Sequence, residues 1–132
     1  MPAKITIAWE ALRATPRHDR SWSAWAKDGS CLYVTLPVPD IKPDGRTIPL
    51  WNIGWTKANG SINPLNVEQE TNVRNAIAGK KPMLGFRADM DKNEDHIKAA
   101  HFERLLPLRI IENTTWELVA QTDEAICIER PA

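Results

Sequence analysis

The chain has 132 residues, with 17 Lys and Arg against 17 Asp and Glu, and no apolar run near the roughly 20 residues that a membrane-spanning helix needs. Its length and its apolar fraction of 42 % predict a single globular domain that folds without disulfides or a structural metal and has no membrane partner. Zero net charge excludes the broad basic face of a dedicated duplex-DNA coat, and the first residues lack a signal-peptide pattern, which predicts a cytoplasmic protein.

Residues 3–8 read as a strand from their β-branched side chains, followed by a turn or two of helix over 9–14 that Pro16 ends. Residues 21–26 and 31–38 then predict a β-hairpin around Asp28-Gly29, a pair suited to the two positive φ angles of a type I′ turn. Strand parity puts Leu32, Val34 and Leu36 on the buried face and Tyr33 and Thr35 on the other. Cys31 and Cys127 lie in apolar runs and are expected to be reduced, buried thiols.

Residues 46–56 predict a strand with Trp51, Ile53 and Trp55 on one face, closed by a turn at Asn59-Gly60. The strongest helix signature follows over about 64–78. Asn63 is its cap, Pro64 its first residue, Glu68 and Glu70 sit near its positive end, Val73, Ala76 and Ile77 form an inner stripe, and Gly79 is its stop.

Residues 82–88 predict a strand with Leu84 and Phe86 inward, and 89–95 an acidic loop. Over 99–112 the helical spacing of Phe102, Leu105 and Leu106 competes with a strand after Pro107, and a strand is preferred for the second part. Residues 116–120 and 125–129 read as a last strand pair, with Trp116, Leu118 and Ala120 on one face and Ile126 and Ile128 toward the core; Trp9 and Trp116 are expected to be core residues. The whole predicts an α+β fold, a mostly antiparallel curled sheet or small β-barrel of about seven short strands with one main helix.

Six tryptophans are the most informative feature of the composition, and two of them lie in the most basic stretch. Residues 13–27 interleave Arg13, Arg17, His18, Arg20 and Lys27 with Trp22 and Trp25. Cations neutralise phosphates and indole rings stack on unpaired bases, so this pattern points to single-stranded nucleic acid or a nucleotide-like ligand. The first 66 residues carry eight Lys and Arg against five Asp and Glu, the remaining 66 nine against twelve, which places any polyanion contact in the first half. Trp22 and Trp25 are an odd number apart, so on a strand they face opposite ways and one is expected to be the stacking platform. Trp51 and Trp55 either pack in the core or line an aromatic pocket in which Asn52 or Asn63 hydrogen-bonds the ligand edge. The candidate ligand-binding residues are therefore Arg17, Arg20, Trp22, Trp25, Lys27, Trp51 and Trp55.

Two other function classes compete. Trp and Arg also dominate protein-interface hot spots, which would make the chain a protein-interaction or inhibitor module with a protein partner. A hydrolytic enzyme would use His101 and Glu103, two apart and so on one side of a strand. No metal is expected: residues from Asp89 imitate an EF-hand loop, but Glu94 stands where the loop needs Gly and Ala100 where it needs a bidentate Glu, and His96 and His101 lack helical zinc spacing. No P-loop, dinucleotide fingerprint, nucleophile elbow or Cys-x-x-Cys occurs, so no cofactor is expected.

Overall fold

A computed structural model describes residues 3–18, 20–55, 64–91 and 96–127. The turn expected at Asn59-Gly60, the Asn63 cap, most of the acidic loop and the strand end at Ile128 and Glu129 lie outside the described residues. In chain order the elements are α1 (Ile5–Ala11), β1 (Ala14–Thr15), β2 (Ser23–Ala26), β3 (Leu32–Pro37), a 3₁₀ turn (Val38–Asp40), β4 (Thr47–Asn52), α2 (Pro64–Ala78), β5 (Met83–Met90), β6 (Ile97–Ala100), β7 (Leu106–Pro107), β8 (Arg109–Asn113) and β9 (Glu117–Gln121). The fold is α+β, with a curled mixed sheet and a second, smaller sheet.

The larger sheet runs β1-β2-β3-β5-β6, with β7 also paired to β5; the smaller runs β4-β9-β8. Its pairs are antiparallel except β3–β5, which is parallel from Leu32↔Met83 to Pro37↔Ala88. A parallel pair needs a long crossover, and the chain between β3 and β5 carries α2. Parallel strands are buried on both faces, and this pair obeys. On one face Leu32, Val34 and Leu36 pack with Val73 and Ala76 of α2, Ile48, Leu50 and Trp51 of β4, and Leu118 and Ala120 of β9. On the other, Phe86 and Ala24 pack against Ala8 and Trp9 of α1, with the Trp9 and Phe86 rings edge to face at 5.5 Å. Each fully buried Leu, Val or Phe contributes roughly 1.5–3 kcal/mol.

The hairpin of β2 and β3 forms as expected, with Leu32, Val34 and Leu36 all fully buried. Its turn differs: only Gly29 has positive φ, at 73°, and the Gly29 N–H donates to the Ala26 carbonyl. The loop of residues 27–30 therefore turns through ordinary right-handed backbone before its glycine, without the two positive φ angles of a type I′ turn. Thr35 is also buried, because its strand is covered on both sides.

Three element assignments are corrected. Residues 5–8 are helical instead of extended, continuous with the helical turn expected from residue 9, since the covered positions Ile5, Ala8, Trp9 and Leu12 follow helical spacing and Ile7 is 51 % exposed. The strand expected over 46–56 stops at Asn52, whose Oδ1 accepts from the Gly54 N–H at 2.8 Å, so Ile53 is exposed and Trp55 leaves the face of Trp51. Residues 125–127 form no strand, and residues 102–104, which the sequence left open between helix and strand, form a turn. Trp116 is 64 % exposed instead of core, because Thr114 Oγ1 accepts from the Trp116 and Glu117 N–H groups and β9 begins only at Glu117. The sheet count also grows: β9 pairs with β4 and β8, closing a separate small sheet. Cys31 is buried and Cys127 half-buried, both unbridged.

Helix α2 spans the expected residues with Val73 and Ala76 inward. Its left-handed capping position lies one residue beyond the expected glycine. The Lys81 N–H donates to the Ala76 carbonyl and the Lys80 N–H to that of Ile77, a Schellman closure whose left-handed residue is Lys80 (φ 51°) and not Gly79.

Candidate functional site

A cavity of about 840 Å³ opens past the carboxyl ends of β3 and β5. Ligands of open α/β sheets collect at this end of parallel strands, where the chain diverges and leaves a crevice. Its walls come from both cores: Thr35 and Pro37 ending β3, Met90 ending β5, Ile5 and Thr6 of α1, Leu50 of β4, and Leu65, Asn66 and Gln69 of α2.

Two tryptophans meet on its wall. Trp22 and Trp55 stand edge to face with ring centres 6.2 Å apart. Both are half-buried and both are held through their backbones. The Trp22 carbonyl accepts from the Thr35 N–H and from Thr35 Oγ1, each at 2.8 Å, and the Trp55 carbonyl accepts from Asn66 Nδ2 at 2.8 Å. In such a pair the ring that offers its edge keeps its faces for another partner. Lys4, Arg20 and Lys98, all exposed, line the same cavity, where Asp40 is the one carboxylate among the described residues.

The predicted site residues do not gather in one place. Arg20, Trp22 and Trp55 share this cavity. Arg17 and Trp25 line a second one of about 720 Å³ between β2 and α2, with His18, Glu68 and Asn72. The odd spacing of Trp22 and Trp25 thus separates them as parity requires, Trp25 packing toward the core that holds Leu32. Lys27 is exposed in the hairpin turn and lines neither cavity, its N–H donating to the Arg13 carbonyl. Trp51 is 6 % exposed in the core, covered by the Arg74 guanidinium.

Lys4, Lys98, Asn66 and Gln69 are among the cavity residues absent from the sequence-based candidates, and Asn66 and Gln69 are 4 % and 3 % exposed. Asn66 Oδ1 and Gln69 Oε1 have no hydrogen-bond partner among the described residues. The signal for them was present. Val73, Ala76 and Ile77 define an apolar stripe whose continuation by steps of three and four lands on Gln69 and Asn66, two carboxamides at positions that should be apolar. Asn52, considered as an edge reader, spends its carbonyl oxygen on the turn that ends β4.

His101 finds a different carboxylate from the one expected. Residues 101–104 depart from strand geometry, so parity does not align His101 with Glu103; His101 Nε2 lies 2.7 Å from Asp89 Oδ2, while Arg87 Nε donates to Asp89 Oδ1 at 2.8 Å. Burial raises the Asp89 pKa, but the His101 and Arg87 hydrogen bonds outweigh it and hold the carboxyl below its ordinary range. Among the described residues no cluster of His, Cys, Asp and Glu could hold a metal ion, and no helix is long and apolar enough to cross a membrane. Comparison with known proteins finds no match to the chain among protein-family models, curated proteins or solved structures.

Proposed function

We propose that the chain is a binding protein that takes a nucleotide unit, free or within a single strand, into the cavity beyond β3 and β5. The observation that carries this reading is the Trp22–Trp55 pair on a wall shared with Lys4, Arg20 and Lys98. A half-buried indole supplies the stacking face, worth about 1–3 kcal/mol per base, and the cations meet the phosphate. The volume of about 840 Å³ suits a ligand of nucleotide size.

Titration of short labelled single strands and of mononucleotides, followed by tryptophan fluorescence at low and high salt, tests the reading. Binding should weaken as salt rises, and Arg20→Ala and Trp22→Ala should each weaken it by roughly tenfold, the exposed Arg20→Ala without lowering the melting temperature. Absence of binding at low salt, or affinities unchanged in both variants, overturns it.

A second reading, a protein-interaction module, draws on one observation: Trp116, 64 % exposed, adjoins Ile53, 52 % exposed, through the bond from the Ile53 N–H to the Trp116 carbonyl. A partner captured after nuclease treatment and lost in Trp116→Ala would favour it; capture unaffected by that substitution would count against it.

A further inference from the structure

Resting on the nucleotide reading above, we propose that Lys4 and Lys98 form a second phosphate site, set apart from Trp22 and Arg20, so that the cavity takes a single strand of at least two nucleotides instead of a free nucleotide. The sheet order sets the distance. Trp22 precedes β2 and its carbonyl accepts from the Thr35 N–H of β3, which places Trp22 and Arg20 on the β2 side. Lys98 lies on β6, and Lys4 adjoins that strand because Ala3 and Ala100 exchange backbone hydrogen bonds at 3.1 and 2.7 Å. β3 and β5 stand between β2 and β6, and three strand steps amount to about 14 Å along the sheet.

The backbone turns Lys98 toward the cavity. Successive residues of a regular strand face opposite ways, yet Ile97 and Lys98 both line it. The register gives the reason. Ala99 pairs with Asp89 and Ile97 with Met90, which leaves Lys98 as the extra residue of a β-bulge. Bulges of this kind re-aim a side chain, and they recur beside functional sites.

Phosphate spacing then selects the ligand. A nucleoside monophosphate has one phosphate, a single ribose away from its base, and with the base on Trp22 that phosphate belongs to Arg20. A triphosphate is best met by cations gathered around one run of charge. Here the cations stand at two sides of the cavity, and the Asp40 carboxylate follows β3, one of the two strands between them. A single strand carries one phosphate per nucleotide with uncharged sugar between, which matches cations set apart.

The experiment titrates the full chain with TMP, TTP and 5′-phosphorylated dithymidylate over a range of salt, followed by tryptophan fluorescence. The dinucleotide should bind roughly tenfold tighter than TMP, as a second charge-assisted contact allows. Its plot of log affinity against log salt should be steeper by about 0.7 for the added phosphate contact. Replacing both lysines, Lys4→Ala with Lys98→Ala, should cut the advantage over TMP to about twofold, whereas Arg20→Ala should weaken both ligands alike and preserve it. A dinucleotide no tighter than TMP, an advantage that survives loss of both lysines, or TTP binding as tightly as the dinucleotide overturns the assignment and leaves the nucleotide reading standing. Binding of none of the three overturns the reading itself.

Discussion

The Arg74 guanidinium lies 5.3 Å from the centre of the Trp51 ring, and its nitrogens donate to Glu70 Oε2, Asn113 Oδ1 and the Thr114 carbonyl. One side chain thus pins α2 to the turn between β8 and β9 and covers a core tryptophan. Arg74→Ala should cost about 1–2 kcal/mol in urea unfolding, discounted for its partial exposure. Arg74→Lys should recover less than half, since an ammonium cannot cover the ring and hold three acceptors with a planar fork. Equal stability of the Lys variant and the parent would contradict this assignment.

Lys80 has a left-handed backbone at the end of α2. A side chain there costs roughly 1 kcal/mol that glycine avoids. Lys80→Gly should therefore raise stability by about 0.5 kcal/mol after the extra freedom of glycine in the unfolded chain is subtracted. Gly79→Ala, at negative φ, should not reproduce strain of that kind; chemical denaturation of the two variants makes the comparison.

Gly85 faces Leu36 across the parallel pair, and a Cβ placed on it would lie 2.7 Å from Leu36 Cδ1 and 2.9 Å from its Cγ. Leu36 is fully buried and cannot swing away cheaply. Gly85→Ala should lose about 1–3 kcal/mol by overpacking, and trimming the opposing side chain in Gly85→Ala/Leu36→Val should lose less than the sum of the single substitutions.

Asp44 closes the loop before β4: Oδ1 accepts from the Arg46 and Thr47 N–H groups and Oδ2 from Thr47 Oγ1 at 2.6 Å. Chiefly through the Thr47 hydroxyl, then the two backbone bonds, its pKa falls to about 2. A carboxyl with a folded pKa below its unfolded value stabilises above the unfolded pKa and loses that contribution as pH drops through the folded one. Its share should therefore vanish between about pH 4 and pH 2, and the pH dependence of the melting temperature in that window should flatten in Asp44→Asn. NMR titration of the Asp44 carboxyl reads the shift directly.

Local rules carried the parts of this chain that depend on near neighbours. The hairpin around Gly29, the alternating burial of Leu32, Val34 and Leu36, the extent of α2 and the opposite facing of Trp22 and Trp25 follow from turn chemistry and backbone period alone. Tertiary packing decided the rest. Ile5 to Ala11 became helical because Ala8 and Trp9 bury against Phe86, which outweighs the weak strand preference of isoleucine and threonine. The site itself was only partly legible: Arg20 and Trp22 are close in sequence, but Trp55 joins them because a turn after Asn52 takes it out of its strand, and Asn66 reaches the same cavity from a helix. A cavity is made by which distant surfaces fail to touch, and no local period encodes that; only the crossing from β3 through α2 to β5 brings these side chains to one edge.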